Sequence, residues 1–319
     1  LGAERPSTVL LSNLADPILP IFMAMMVGYG MRHLRFFDVG AAQTINRFVF
    51  YLAMPGLIFN LVAHIPFGDI DWGTMGVYIG SEAIVYGGSA WCARRFFKCS
   101  LGESILLGMA AGFVNHLMFV LPIAQSLHGS IAAQPIAAIV FIDVVVFALT
   151  VFAMDLLKAS ENVKTSGQRY HPGHVLGMLA RNPMVLACGF GGIAAALFAH
   201  VPSGVFTYAK FVGASAAPAA LFALGVILAD RPVRPVGGAA WFAIGMKLIV
   251  HPAIFMALAG LVSMDANWET MGFLVAAGPC GAMPFVIALQ YGVNPSAIAK
   301  AVLISTLLSL LSLSYLTAL

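Results

Sequence analysis

Gly278-Pro279-Cys280-Gly281-Ala282-Met283-Pro284-Phe285 interrupts an otherwise apolar run over residues 267–292. Two prolines five positions apart, with Gly278 and Gly281 among them, cannot continue a helix. Each proline removes a backbone donor and costs on the order of 3 kcal/mol in a helix interior. The run is long enough to cross a bilayer, which takes roughly 20 residues of helix. A break inside it frees N–H and C=O groups that lipid cannot satisfy, so they must face protein, water or ligand. The segment reads as a helix broken within a membrane, with a simple kink as the alternative.

The rest of the chain fits that solvent. Of its 319 residues, 61% are hydrophobic and only 9% charged, too few charges to cover a soluble surface. Ten apolar runs are long enough to span: 15–33, 41–63, 72–93, 102–128, 133–156, 182–200, 205–229, 236–262, 267–292 and 295–319. The fourth carries its own interruption at Gly112, Asn115, His116 and Pro122. If the two breaks meet at mid-membrane, helix N-termini there present N–H groups and positive dipole ends, which favour an anion such as a carboxylate.

The halves of the chain resemble each other. Arg47-Phe48-Val49 precedes Pro55 and Phe59, and Lys210-Phe211-Val212 precedes Pro218 and Phe222, at identical spacing. Pro20 to Pro55 and Pro183 to Pro218 are both 35 residues, and Ala110-Ala111-Gly112 corresponds to Ala276-Ala277-Gly278. The polar stretch from Lys158 to His174 divides the chain into two sets of five spans. Five is odd, so the second set enters the membrane inverted, as in many secondary transporters. The expected organisation is an all-α polytopic membrane protein: residues 1–157 as a first five-helix repeat, 158–175 as a cytoplasmic linker and 176–319 as the inverted second repeat.

Charge placement orients it. Arg32, Arg35, Arg94, Arg95, Lys98, Lys158, Lys164, Arg169, Arg181, Arg231 and Arg234 fall in alternate loops. The opposite loops hold Asp69, Asp71, Asp265 and Glu269. By the positive-inside rule the basic loops are cytoplasmic and both termini lie outside. The net charge of +3 thus describes topology, and no nucleic-acid partner is expected. No charged n-region with a cleavage site opens the chain, so no signal peptide is expected, and a start on Leu1 reads as a processed or trimmed chain. Cys92, Cys99, Cys188 and Cys280 form no CxxC pair and read as packing residues. No metal site or cofactor is expected. The pairs Gly76/Gly80 and Gly108/Gly112 suit close helix packing in lipid.

Asn115 is the first candidate for substrate contact, because its amide can donate to a carboxylate; the alternative is that it bonds carbonyls freed by the break. His116 could couple transport to protons or simply find a hydrogen-bond partner. Glu82, Asp143 and Lys247 are mid-span ionisable residues that should face the interior. The two carboxyls are candidate proton carriers; Lys247 either attracts the anion or bridges to a carboxylate. Arg47 and Lys210 are expected to be snorkelling anchors rather than ligands.

Pro279-Cys280-Gly281-Ala282-Met283-Pro284-Phe285 through Tyr291-Gly292-Val293-Asn294-Pro295 resembles the auxin efflux carrier family. So do Ser215 to Gly225, Lys247 with Pro252, Asn182-Pro183, and the seven-residue spacing of Asn115 and Pro122. The resemblance covers essentially the whole chain. It implies ten helices, an inverted repeat and crossed, broken helices four and nine, with a substrate site built from Asn115, His116, Pro122, Pro279, Gly281 and Pro284. It implies further a scaffold and homodimer face from spans one, two, six and seven, and a mobile unit from the others that works by an elevator-like motion. Members carry organic anions: auxin in plants, small dicarboxylates such as malate and malonate in bacteria. The short central loop is similar to bacterial members, implying the inner membrane. Leu117 and Val120 stand where bacterial members often have glycine, and His116 where a small residue is common.

The implied function is secondary transport of a small organic anion, with H+ or Na+ as the coupling ion or none. A sodium-coupled carrier similar to bile-acid symporters and a ligand sensor on a transporter fold are the alternatives. An intramembrane enzyme is disfavoured, since the chain has no HExxH helix, GxSxG elbow or GxGD pair.

Overall fold

A computed structural model describes residues 19–20, 23–64, 70–166, 181–197, 201–230 and 235–316. Among them there is helix and no strand, and what lies outside includes half of the expected linker, residues 167–175. Helix α1 covers 23–33, followed by α2 (Val39–Phe48), α3 (Met54–Ala63), α4 (Trp72–Phe96), α5 (Leu101–Gly112), α6 (Leu121–His128) and α7 (Ala133–Ser166). The later part holds α8 (Pro183–Ala196), α9 (Ser203–Gly213), α10 (Ala216–Asp230), α11 (Gly238–Gly245), α12 (His251–Ala259), α13 (Ala266–Ala277), α14 (Met283–Tyr291) and α15 (Ser296–Leu316). Because α7 continues to Ser166, the polar stretch beginning at Lys158 starts as helix rather than loop.

Four continuous helical runs among the described residues are long and apolar enough to cross a bilayer: Val39–Ala63, Gly129–Ser160, Ser203–Asp230 and Gly238–Ala259. Leu101–Gly112, Pro183–Ala196 and Ser296–Ser309 are apolar but shorter. The burial pattern is that of a protein turned inside out. Glu82, Asp143, Lys247 and His251 are at most 1% exposed, while Phe211 and Leu261 are 79% and 80% exposed. Only an apolar solvent rewards that arrangement. The chain is an integral membrane protein.

Prolines shape these helices in a repeated way. A proline has no N–H and its ring clashes with the carbonyl four residues back. Before Pro55, Pro122 and Pro252 the chain widens by one π turn, over Val49–Ala53, His116–Val120 and Met246–Val250. In each case the residue just before the proline donates five residues back: Met54 to Val49, Leu121 to His116 and His251 to Met246. Pro218, the repeat counterpart of Pro55, is accommodated differently. There α9 ends and α10 begins across Ala214-Ser215, where the Ser215 hydroxyl donates to the Val212 carbonyl at 2.6 Å.

The helices pack as two groups. In one, α1 and α2 lie against α10, and α3 lies against α8 and α9. In the other, α4 packs on α5 and α12, α13 on α12 and α7, and α11 on α15. Of the two glycine pairs expected at helix contacts, only one serves: a methyl at Gly108 would meet Tyr86 at 2.6 Å, whereas Gly76 has open space around it.

Candidate functional site

The two interruptions read from the sequence meet. After α5 the chain runs extended through Phe113, Val114 and Asn115; after α13 it does so through Pro279 and Cys280. Val114 and Cys280 pair as an antiparallel bridge. The Asn115 N–H donates to the Pro279 carbonyl at 3.3 Å, and the Gly281 N–H to the Phe113 carbonyl at 3.0 Å. Cys280 N–H donates to Ser305 Oγ of α15 at 3.1 Å. Each break thus satisfies backbone groups of the other, which is what a membrane interior demands. The contact needs glycine: a Cβ on Gly281 would lie 2.5 Å from the Phe113 ring and 3.0 Å from the Val114 carbonyl.

Four helix ends converge here. The turn starting at His116 and helix α14, with Pro284 in its first turn, begin at the crossing and bring N–H ends to it. Pro122 has the same early place in α6. Helices α5 and α13 end there, and Lys247 caps both. Its Nζ donates to Gly112 O at 3.2 Å and Ala276 O at 3.1 Å, and lies 2.7 Å from His251 Nδ1. The ammonium is therefore committed to two helix C-termini, where positive charge is favoured. Lys247 makes no direct ion pair to a carboxylate among the described residues, and it does not line the cavity described next.

Beside the crossing is a cavity of about 90 Å³. Phe113, Asn115, His116, Asp143 and Met283 line one side, and Met54, Ile58 and Ala217 the other. It lies between the two helix groups. The Asn115 side chain is half-buried and makes no hydrogen bond among the described residues, while the backbone carbonyl of Asn115 accepts from Phe119 and Val120 N–H at 3.2 Å. His116 Nε2 is 3.3 Å from Asp143 Oδ2, and the Val114 N–H points at the same oxygen from 3.5 Å. Glu82 sits behind this layer against Gly112, with both carboxyl oxygens buried and unpartnered.

Asn115, His116, Asp143, Pro279, Gly281 and Pro284 are thus gathered at one place, with Glu82 and Lys247 packed behind them. Two buried neighbours of Glu82 and Lys247, Tyr78 and His251, whose ring centroids lie 5.9 Å apart, were not singled out from the sequence. His251 stands four residues after Lys247 and Tyr78 four before Glu82, on the same helix faces; that spacing was the available signal. Two of the acidic loop residues used for orientation also cap helices. Asp71 caps α4 and Asp265 caps α13, each accepting from two N–H groups of the first turn.

A profile for the family described as membrane transport proteins matches residues 14–317. The chain belongs to the auxin efflux carrier family of membrane transport proteins. Among its relatives in this family, a Rhizobium meliloti protein named "Putative malonate transporter" is 28% identical over 306 residues, covering 94% of this chain and 93% of that one. "Probable auxin efflux carrier component 5a" of Oryza sativa subsp. japonica is 23% identical, with 92% of each chain covered. "Auxin efflux carrier component 5" of Arabidopsis thaliana is 24% identical, covering 92% of this chain and 93% of its own. Family membership points to a transporter rather than an enzyme, with a small-molecule substrate and a membrane around it.

Proposed function

We propose that this protein carries small organic anions, carboxylates such as malonate, malate or auxin-like acids, across the membrane, binding them where the two broken helices cross. One observation carries the reading: an unpartnered Asn115 amide faces a cavity onto which two helix N-termini open. An amide donor and two positive dipole ends suit a carboxylate. The relatives' names supply malonate and auxin as first candidates.

The wider reading is ten spans in a 5+5 inverted repeat, working as an elevator. Its support is the packing into two groups, with the group of α1 to α3 and α8 to α10 as scaffold and homodimer face, and the cavity between the groups. The basic loops then lie in the cytoplasm of a bacterial inner membrane and both termini outside. For coupling, Lys247 is the useful residue. It places a fixed ammonium on carbonyls that a sodium ion would otherwise suit, which favours proton coupling or uniport over sodium. Glu82, Asp143 and His116 are the candidate proton carriers.

The test is thermal stability of the purified protein against small carboxylates, with and without Na+, at two pH values. A ligand at about 100 times its Kd adds ~2.7 kcal/mol to the native state. Malonate is expected to stabilise without sodium, and Asn115→Ala to weaken its binding about 10- to 100-fold, the loss of one hydrogen bond to a charged group. No shift from any carboxylate refutes the anion reading; unchanged affinity in the variant removes Asn115 from the site.

A further inference from the structure

A second cavity, of about 620 Å³, opens at the basic end of the molecule. Gln43, Asn46, Arg47 and Tyr51 line it from one helix group, and Lys158 and Gln290 from the other. Arg47 and Lys158 are both exposed, and neither is ion-paired among the described residues. Asp155, one turn before Lys158, is already engaged: its carboxylate accepts from the Tyr291 hydroxyl at 2.6 Å and from Asn182 Nδ2 at 2.9 Å. Asn46 is 1% exposed. Its Nδ2 donates to Val286 O at 3.0 Å, which fixes the amide's orientation and leaves Oδ1 buried without a partner. A buried acceptor of this kind is normally filled by water or an acid O–H.

The helical run that lines this cavity also lines the site at the crossing. Gln43, Arg47, Tyr51, Met54, Ile58 and Leu61 follow one another at steps of three or four residues, which places them on one helix face. The first three line the polar cavity and the last three the cavity at Asn115. At ~1.5 Å per residue, Arg47 and Ile58 are about 16 Å apart along the helix axis.

We propose that this cavity is an anion-binding antechamber, in which Arg47 and Lys158 take a small carboxylate from solution at the basic end and pass it to the crossing. The proposal rests on the organic-anion reading above. Two cations on a concave wall raise the local concentration of anions, and the two cavities are separated along this helix by the step from Tyr51, whose hydroxyl accepts from Gln290 Nε2 at 2.7 Å, to Met54.

Gln43→Cys tests the electrostatics without any assumption about cargo. The intact protein is labelled in detergent with methanethiosulfonate reagents carrying a sulfonate or a trimethylammonium group. Rates are normalised to a free thiol and corrected for the native cysteines. The sulfonate reagent is expected to react about fivefold faster or more, a preference compressed by high salt. Arg47→Gln with Lys158→Gln should abolish the preference, and Arg47→Glu with Lys158→Glu should invert it. Lys158→Gln alone should lose part of it, should a double variant fold poorly. A preference untouched by removing both cations overturns the proposal. In proteoliposomes the neutralised protein should show malonate kcat/KM reduced about tenfold, with the thermal shift at saturating malonate retained. A malonate shift with no charge preference sinks the antechamber alone. A charge preference with no malonate shift keeps the antechamber and sinks malonate as cargo.

Discussion

Replacing Lys247 by Met tests whether the crossing is held by an internal cation. The side chains are similar in length, so the change chiefly removes the ammonium. Three contacts of the ammonium disappear: its hydrogen bonds to Gly112 O at 3.2 Å and Ala276 O at 3.1 Å, and its approach to His251 Nδ1 at 2.7 Å. Each stranded buried carbonyl costs about 1–3 kcal/mol, giving about 2–6 kcal/mol of destabilisation for the pair. Against this, the cost of burying an ammonium, itself several kcal/mol after relaxation, is no longer incurred. The carbonyls belong to the ends of two different helices, α5 and α13, so their repulsion is felt at the crossing itself. The relieved burial offsets much of that cost, so the net expectation is a loss of about 1 kcal/mol, read as a lower thermal midpoint in detergent, with Lys247→Gln intermediate because its amide still donates to one carbonyl. Sodium should do nothing for the wild type and should partly restore the Met variant, whose paired carbonyls then lie open to a cation. A Met variant as stable as wild type, or a wild type that sodium stabilises, refutes the capping role.

Gly281→Ala should force the two breaks apart, because its Cβ would sit 2.5 Å from the Phe113 ring. Overpacking of this kind costs about 1–3 kcal/mol, so both thermal stability and uptake should fall; normal uptake would show that the bridge between Val114 and Cys280 is dispensable. Asp71 is a half-buried cap. Burial pushes its carboxyl up, but hydrogen bonds from Asp265, Gly73 and Thr74 outweigh this and hold it below the usual value of 3.8. A depressed folded-state value means that its contribution is present above about pH 4 and fades as pH falls through that lower value. Asp71→Ala should cost about 1 kcal/mol at neutral pH and less in acid, measured by thermal midpoints from pH 7 to pH 3; a constant difference would refute the linkage. Glu82→Gln should flatten the pH dependence of malonate uptake in proteoliposomes. An unaltered profile would shift the proton to Asp143 or His116, or remove proton coupling.

The two interruptions were legible because glycine and proline chemistry is local: the stretches Gly278 to Pro284 and Gly112 to Pro122 cannot form one unbroken α-helix. The polar residues at mid-span were equally plain, since each needs an interior place in a membrane. Even so, the spacing of Arg47 to Pro55 and Lys210 to Pro218 suggested one local geometry, and the chain uses a π turn at the first and a two-residue break at the second.

Sequence by itself determined that this chain lives in a bilayer, where its helices break, and to which family it belongs, because composition, proline placement and motif are properties of the chain alone. Tertiary structure alone decided that the breaks pair through Val114 and Cys280, that the Lys247 ammonium donates to the ends of two helices, and that Asn115 lines a cavity beside the crossing. Those outcomes depend on groups 135 and 29 residues from Lys247, and no local pattern specifies which distant carbonyl an ammonium will meet.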